Sequence, residues 1–413
     1  MHHSNNHKLI RSQKTQNTTR LFAVATIVSA ILFSSLTIST IIPVNAASSG
    51  FDEPITLDGE EGKVGYDTSI AIGIDENPVI SYRDLENEDL KIVHCLDPVC
   101  DSFANPITLD SQGMVGRDSS IAIGADGNPI VSYYDRSNKD LKVVHCNNKG
   151  CTNFDESMVL DNKGDVGRHS SMTIGTDGNP VISYFDNSNN SLKVIHCIAN
   201  DCSTFDSPIT LDNEGAVGRD SSIVIGTDSN PVISYRSSTN ADLKIIHCTS
   251  LDCQTFDAPV ILDDQNSVGF DSSLAIGTDG YPIVSYYDNT NADLKIVHCT
   301  SLDCSTDNVS TVLDSQGIVG RDSSIAIGTD GNPVISYTDD TFGNLKIIHC
   351  LDVSCMSKDI PVILDNNEAT GVTPSVAIGA YGYPIVSYFD ALTSDLKIIH
   401  CNAVNCSLYD NTI

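Results

Sequence analysis

His-Cys pairs stand at His94-Cys95, His145-Cys146, His196-Cys197, His247-Cys248, His298-Cys299, His349-Cys350 and His400-Cys401, each 51 residues after the last. A second cysteine follows five positions after each first one, from Cys100 to Cys406, and this accounts for all 14 cysteines. A fixed period of this length means one supersecondary unit used seven times, and it constrains the fold more than any other feature of the chain.

One unit reads Pro259-Val-Ile-Leu-Asp263, Val268-Gly-Phe-Asp-Ser-Ser-Leu-Ala-Ile-Gly277, Asp279-Gly-Tyr-Pro-Ile-Val-Ser-Tyr-Tyr-Asp288 and Asp293-Leu-Lys-Ile-Val-His-Cys299. Four short β-branched runs are separated by Asp/Gly/Asn/Pro turns, which is the pattern of strands. No segment after residue 50 sustains a 3.6-residue apolar period, so no helix is expected. Four strands in each of seven units predict an all-β, seven-bladed β-propeller of four-stranded antiparallel blades. In the sixth blade the inner strand is Ser324–Gly328, the second Pro333–Tyr337, the third Leu345–Cys350 and the fourth Pro361–Asp365. Stacked blades bury both sheet faces, which explains near-continuous apolar runs in place of alternation. The repeats open on a fourth-strand sequence, Glu53–Asp58, with no inner strand before it. That strand is expected to complete the last blade beside Leu396–His400 and so remove two open edges. A solenoid would need capping repeats, and none is visible.

Residues 1–20 are basic, residues 21–42 are apolar, and Pro43-Val44-Asn45-Ala46 follows. This predicts a secretory signal over 1–46, with the propeller over 47–413. The alternative is an uncleaved N-terminal anchor, because 22 apolar residues are long enough to span a bilayer. Both place the repeats outside the cytoplasm, secreted or on the cell surface. An even cysteine count and regular spacing then predict disulfides. The expected pairs are local: Cys95–Cys100, Cys146–Cys151, Cys197–Cys202, Cys248–Cys253, Cys299–Cys304, Cys350–Cys355 and Cys401–Cys406. Each short loop gives about 2 kcal/mol in the chain-entropy account. A metal site made of one His and two Cys offers three ligands at most, and seven such soft sites do not suit an oxidising compartment.

The formal net charge is −31, and it becomes −35 without residues 1–46, which carry four bases and no acid. Most of the acids are Asp, a turn former. The residual negative field excludes nucleic acid and anionic lipid as partners and favours cations, cationic polymers or basic proteins. No nucleotide loop, zincin motif, nucleophile elbow or EF-hand is present. The recurring Asp-Gly-Asn-Pro lacks the spaced acids of a calcium loop and reads as a tight turn.

Residues common to all blades solve problems common to all blades. His94, Ser81, Tyr82 and their equivalents are expected to satisfy and fill the space between blades. Asymmetric chemistry must sit where the repeat breaks. The segment entering each inner strand carries a variable pair: Tyr66-Asp67, Arg117-Asp118, Arg168-His169, Arg219-Asp220, Phe270-Asp271, Arg321-Asp322 and Val372-Thr373. Five carboxylates and four guanidinium groups are expected to ring one mouth of the channel. They form either an Arg–Asp ladder between blades or a site for a polar ligand or cation. Asp67 and Asp271 lack an adjacent Arg and are the candidates for calcium or another cation. The symmetry also fails at Tyr381 and Tyr383, which replace the hairpin Asp and Asn, and at Arg83 and Arg236.

The units Asp322–Tyr337 and Asn344–Cys350 resemble repeats of uncharacterised secreted or surface β-propellers of bacteria and archaea, loosely grouped with sialidase-type and NHL-type propellers. The resemblance covers residues 51–413 and implies the propeller. The Asp box of sialidases, Ser-x-Asp-x-Gly-x-x-Trp, is missing and the chain has no Trp, so no catalytic residue carries over. The expectation is a monomeric extracellular scaffold that binds a protein or glycan through its loops. The rivals are a glycan-active propeller enzyme, hydrolase or lyase, and a structural component of the cell envelope.

Overall fold

The computed structural model describes residues 50–407 apart from 60, 61, 307 and 368; the expected signal segment over 1–46 lies outside them. The described residues form twenty-eight strands in seven four-stranded antiparallel sheets. The first blade comprises Val64–Ile72, Pro78–Asp84, Asp89–His94 and Ile107–Asp110, inner strand to outer, and the next five repeat this order. The seventh comprises Val372–Ile378, Pro384–Asp390 and Asp395–His400, and its outer strand is Ile55–Asp58, with Ile55 opposite Ile398 and Thr56 opposite Lys397. The fold and its closure by the N-terminal strand are as the repeat implies. The inner strands start earlier than expected; that of the sixth blade runs from Val319 to Ile327. Among the described residues no helix is long and apolar enough to cross a membrane.

Seven apolar clusters hold the ring, each drawn from two neighbouring blades. One joins Val79, Leu90 and Ile92 of the first blade to Ile121, Val131 and Val144 of the second. The closing seam is built the same way, from Ile385, Leu396 and Ile398 of the seventh blade and Ile70, Ile80 and Val93 of the first. Six of the seven second strands are buried along their whole length, as in Pro180–Asp186, and the other is interrupted only at Arg236, because both faces of each sheet meet a neighbour.

Polar bolts cross these apolar seams. The Asp that ends each outer strand accepts from a Tyr of the next blade's second strand, and in six seams also from a Lys of its third. Asp161 takes the Tyr184 hydroxyl at 2.7 Å and Lys193 Nζ at 2.7 Å. Asp58 does the same for Tyr82 and Lys91 across the closing seam. The lysine stems lie along the tyrosine rings, with Nζ 5.5–5.8 Å from the ring centroids. A buried carboxylate is costly unless it is paired; here the cation and the phenol both satisfy it. Burial alone would raise Asp110, Asp161, Asp212 and Asp263, but their Lys and Tyr partners hold them below the usual carboxylate range.

The seam between the sixth and seventh blades is thinner. Tyr388 reaches Asp365 at 2.6 Å, but Lys397 turns to Asp390 on the neighbouring strand. Elsewhere a second-strand Ser meets an inner-strand hydroxyl of the next blade, as Ser285 meets Ser323 at 2.9 Å. Pro374 occupies that inner-strand position in the seventh blade, and the buried Ser336 hydroxyl has no partner.

All seven disulfides are local, as expected, and they indicate an oxidising environment. The recurring serines and tyrosines do lie between blades, but the histidines do not. Their carboxylate partners lie within the same blade, and His145, His196, His247 and His349 each tie the turn between the first two strands to the segment after the disulfide. His196 joins Asp177 at 2.9 Å through Nε2 to Asp206 at 2.9 Å through Nδ1. The correction follows from register. His196 is the last residue of the third strand, opposite Val181, so it sits where the sheet ends and two turns of one blade converge.

Two outcomes test this account. Asp212→Asn leaves the buried Lys244 ammonium, which among the described residues has no second carboxylate partner because Ser237 stands where other blades carry an Asp, without its counter-charge, and should cost about 3–5 kcal/mol in denaturant unfolding. A carboxylate with a depressed folded pKa contributes stability that is complete above its unfolded value near pH 4 and is lost as pH falls through the folded value. The variant's deficit should therefore shrink as pH drops below about 4. Deletion of Phe51–Asp58 removes the seventh blade's outer strand and the acceptor of Tyr82 and Lys91, and should give aggregation or loss of cooperative melting on size-exclusion chromatography and calorimetry; a monomer with unchanged melting would refute the closure.

Candidate functional site

The seven variable pairs do not lie in loops. They belong to the inner strands, at a β-bulge that recurs in every blade. In the first blade the register slips between Tyr66 and Ser69, and Asp67 between them adopts φ 51°. Asp118, His169, Asp220, Asp271, Asp322 and Thr373 have φ from 48° to 53°. Asp tolerates this left-handed region because its short side chain bonds locally. His169 and the β-branched Thr373 are strained there, and such strain persists only where the surroundings impose it. The bulge re-aims the residue, so all seven side chains line one cavity of about 270 Å³ at the channel mouth.

Below the bulge, the inner strands would expose unpaired backbone groups, which must find partners. A ring of serines supplies them. Ser69 Oγ accepts the N–H of Ile121 in the next blade, and Ser120, Ser171, Ser222, Ser273, Ser324 and Ser375 repeat this, the last closing the circle on Ile70. Ser119, Ser170, Ser221, Ser272 and Ser323 donate to the carbonyl of the preceding bulge residue, Asp67, Asp118, His169, Asp220 and Asp271 in turn. The bulge carboxylates form a third circuit: Asp67 accepts the N–H of Asp118 at 3.2 Å, Asp118 that of His169 at 3.0 Å, Asp271 that of Asp322 at 3.2 Å and Asp322 that of Thr373 at 3.3 Å. Sequence reasoning named the carboxylates and missed the serines. The signal was present, since Ser-Ser or Thr-Ser follows the bulge residue in six repeats.

The arginines do not join the ring of charge. Arg168 lies over Tyr134, Arg219 over Phe185 and Arg321 over Tyr287, each 5.1 Å from the ring centroid and each on the preceding blade. Arg168 also bonds Asp165, and Arg321 bonds Asp340 at 3.1 Å. Where the sequence places Phe270 at the arginine position, the opposing residue is Arg236, 3.6 Å from the ring centroid; the pair is the same with its partners exchanged. At the closing seam Tyr66 meets Phe389 edge-to-face at 5.7 Å. The expected Arg–Asp ladder is thus replaced by stacked pairs between blades, because the bulge turns each Asp into the channel and leaves the preceding residue against an aromatic ring of the blade before. Arg117 alone approaches its ring carboxylate, Asp118, and only at 3.9 Å. Its opposite number is Arg83, which is paired with Glu88.

The mouth therefore holds five carboxylates and one imidazole with little cationic compensation. Burial and the neighbouring Asp118 push Asp67 up to about 7. Burial together with Asp322 and Asp220 pushes Asp271 up to about 8, and Asp322 is raised chiefly by burial. Burial would also raise Asp220, but His169 Nδ1, 3.0 Å away, holds it low. Burial works against charge on His169, yet Asp220 and Asp118 raise it to about 9. Solvent still reaches this pair, whose side chains are 28% and 13% exposed, and screens part of its attraction. Among the described residues no three His, Cys, Asp or Glu side chains converge closely enough to hold a metal ion. Asp67 and Asp271 sit in different blades, each anchored to its neighbour's backbone.

The sequence matches no protein-family model and no curated protein. Solved structures share the fold. The chain is similar to the polysaccharide lyase Uly1 at 10% identity and TM-score 0.53, over 86% of this chain and all of that one. A puromycin hydrolase S511A mutant matches at 12% identity and TM-score 0.51, over 88% of this chain and 57% of that one. The NanB sialidase of Streptococcus pneumoniae matches at 10% and 0.47, over 86% and 71%. At such identities the likeness to the lyase and the hydrolase shows the fold and nothing about activity.

A carboxylate whose folded pKa is raised takes up protons on folding, so it lowers stability as pH climbs from its unfolded value, about 4, through its folded value. Replacing Asp67 and Asp271 together by Asn should therefore raise the melting temperature relative to the parent at pH 8, and the gain should fade towards pH 4. Melting curves across that range check it; a variant less stable at pH 8 would show that the two carboxylates brace the ring.

Proposed function

We propose that the protein is an extracellular, non-enzymatic binding scaffold whose channel mouth receives a cationic group carried by a protein or glycan. The observation behind this reading is the uncompensated ring: Asp67, Asp118, Asp220, Asp271 and Asp322 line one cavity while the arginines beside them in sequence stack outward on aromatic rings. Like charges held this close favour either protons or a cation, and a focused negative cleft draws cationic ligands from a distance. The cavity is lined by Asp, His, Ser, Thr and Pro, with no aromatic ring on which a sugar would stack at the reacting centre.

A second reading, a glycan-active enzyme, has one specific support. Asp271 is raised and Asp220 is lowered, and titratable neighbours driven apart are how active sites assign acid and base. The two readings differ in outcome.

The secreted domain should bind an oligolysine peptide or a chitosan oligomer in isothermal titration, with affinity falling as salt rises. Because the cation displaces protons from Asp67 and Asp271 while lysine amines stay charged across this range, oligolysine binding should tighten between pH 6 and 8. The double Asn variant should bind at least tenfold more weakly. Failure of both probes to bind removes this reading, and chain shortening of an uncharged or amino-sugar polymer by the parent protein establishes the enzyme.

A further inference from the structure

The opposite face of the ring breaks its symmetry at one place. There the turn between the first two strands of each blade lies against the histidine that ends the third strand. In six blades an Asp of that turn meets the histidine Nε2: Asp75, Asp126, Asp177, Asp228, Asp279 and Asp330, at 2.8–3.1 Å. In the seventh the Asp is Tyr381 and the Asn two residues on is Tyr383. His400 is 5% exposed, and its Nε2 is buried with no hydrogen-bond partner. Tyr281 shows that the second change alone leaves the pairing intact, since Asp279 still reaches His298 at 2.8 Å.

Nδ1 of His400 contacts Asp52 Oδ2 at 3.3 Å. A carboxylate only accepts, so Nδ1 carries the proton and Nε2 of the neutral ring presents a lone pair. A buried acceptor left unmet is unfavourable. Both tyrosines pack edge-to-face on this imidazole, at 6.3 and 6.5 Å between centroids. Tyr383 is half-buried against the seventh cluster, whereas Tyr381 is 62% exposed and has room to swing. The place thus offers an exposed aromatic face, a fixed aromatic floor and an acceptor in need of a donor.

From these features we propose that Tyr381, Tyr383 and His400 form a carbohydrate subsite, distinct from the acidic mouth, for an uncharged pyranose. The sugar's C–H face stacks on Tyr381, an amphipathic ring of low conformational entropy, and one hydroxyl donates to His400 Nε2. An anionic sugar is disfavoured by the strongly acidic chain, and a carboxylate has no proton to give Nε2.

Other blades supply the test. Tyr381→Asp with Tyr383→Asn installs the turn that they use, so the repaired protein should fold at least as well, and its new Asp should give Nε2 the partner it lacks. The probes are uncharged tetrasaccharides of glucose, mannose, galactose and N-acetylglucosamine, read by saturation-transfer NMR and titration calorimetry. The parent should bind at least one, with transfer to its ring C–H protons. The repaired protein should bind at least tenfold more weakly and melt no lower, while Tyr381→Phe and the Asp67/Asp271 double Asn variant should bind as the parent does. Binding of none of the four by the parent, equal binding by the repaired protein, or loss of binding in the channel-mouth variant would each overturn the subsite.

Discussion

The structure depends on the seam between blades. Each sheet is apolar on both faces and has nothing to bury them against except its neighbours, so a propeller is stable only when every seam closes, including the one joining the chain's two ends. The apolar clusters supply the area, but apolar contacts do not fix register. The polar groups do: one Asp receiving Tyr and Lys at mid-seam, and serine hydroxyls capping the backbone at the hub. Buried polar groups fully paired in one arrangement are mismatched in any other, so these bolts set how each blade sits on the next.

That dependence explains what was legible in the sequence. The architecture was, because four strands and 51 residues repeat without drift and the strand order at the ends leaves one way to close. The disulfides were, because each unit carries its own pair. Interactions across seams were harder to read. Asp58 and Tyr82 touch only because they belong to different blades, and adjacency in the ring is not adjacency in the repeat. The arginines show the same limit. Arg219 is next to Asp220 in the chain, and pairing them is natural on paper. The bulge turns the Asp into the channel and leaves the Arg on the other side of the strand, against Phe185 of the blade before. The exchange of partners at Phe270 and Arg236 was the written clue, visible only once those positions are known to face each other.

The two candidate sites are both failures of repetition. The acidic mouth keeps sevenfold geometry but breaks its charge at His169 and Thr373. The seventh-blade turn breaks the pairing of a histidine that six blades preserve. A repeat protein separates these cases well, since six copies act as internal controls for the seventh. The mouth carries charge and little apolar surface, whereas the turn carries aromatic surface and no charge, so one ring presents two unlike surfaces.

The closing strand bears on the order in which the molecule can assemble. The first six blades are each built from one contiguous stretch of chain. The seventh is not: Ile55 pairs with Ile398, and Asp52 meets His400, across nearly the whole length of the fold. During synthesis this outer strand must wait, unpaired, until the last three strands have emerged. Contacts of such separation form slowly, and an unpaired strand is exposed to neighbouring chains meanwhile. The six early blades, each with its disulfide, hold that end close to where its partner will arrive, so the array serves as the template for its own last step.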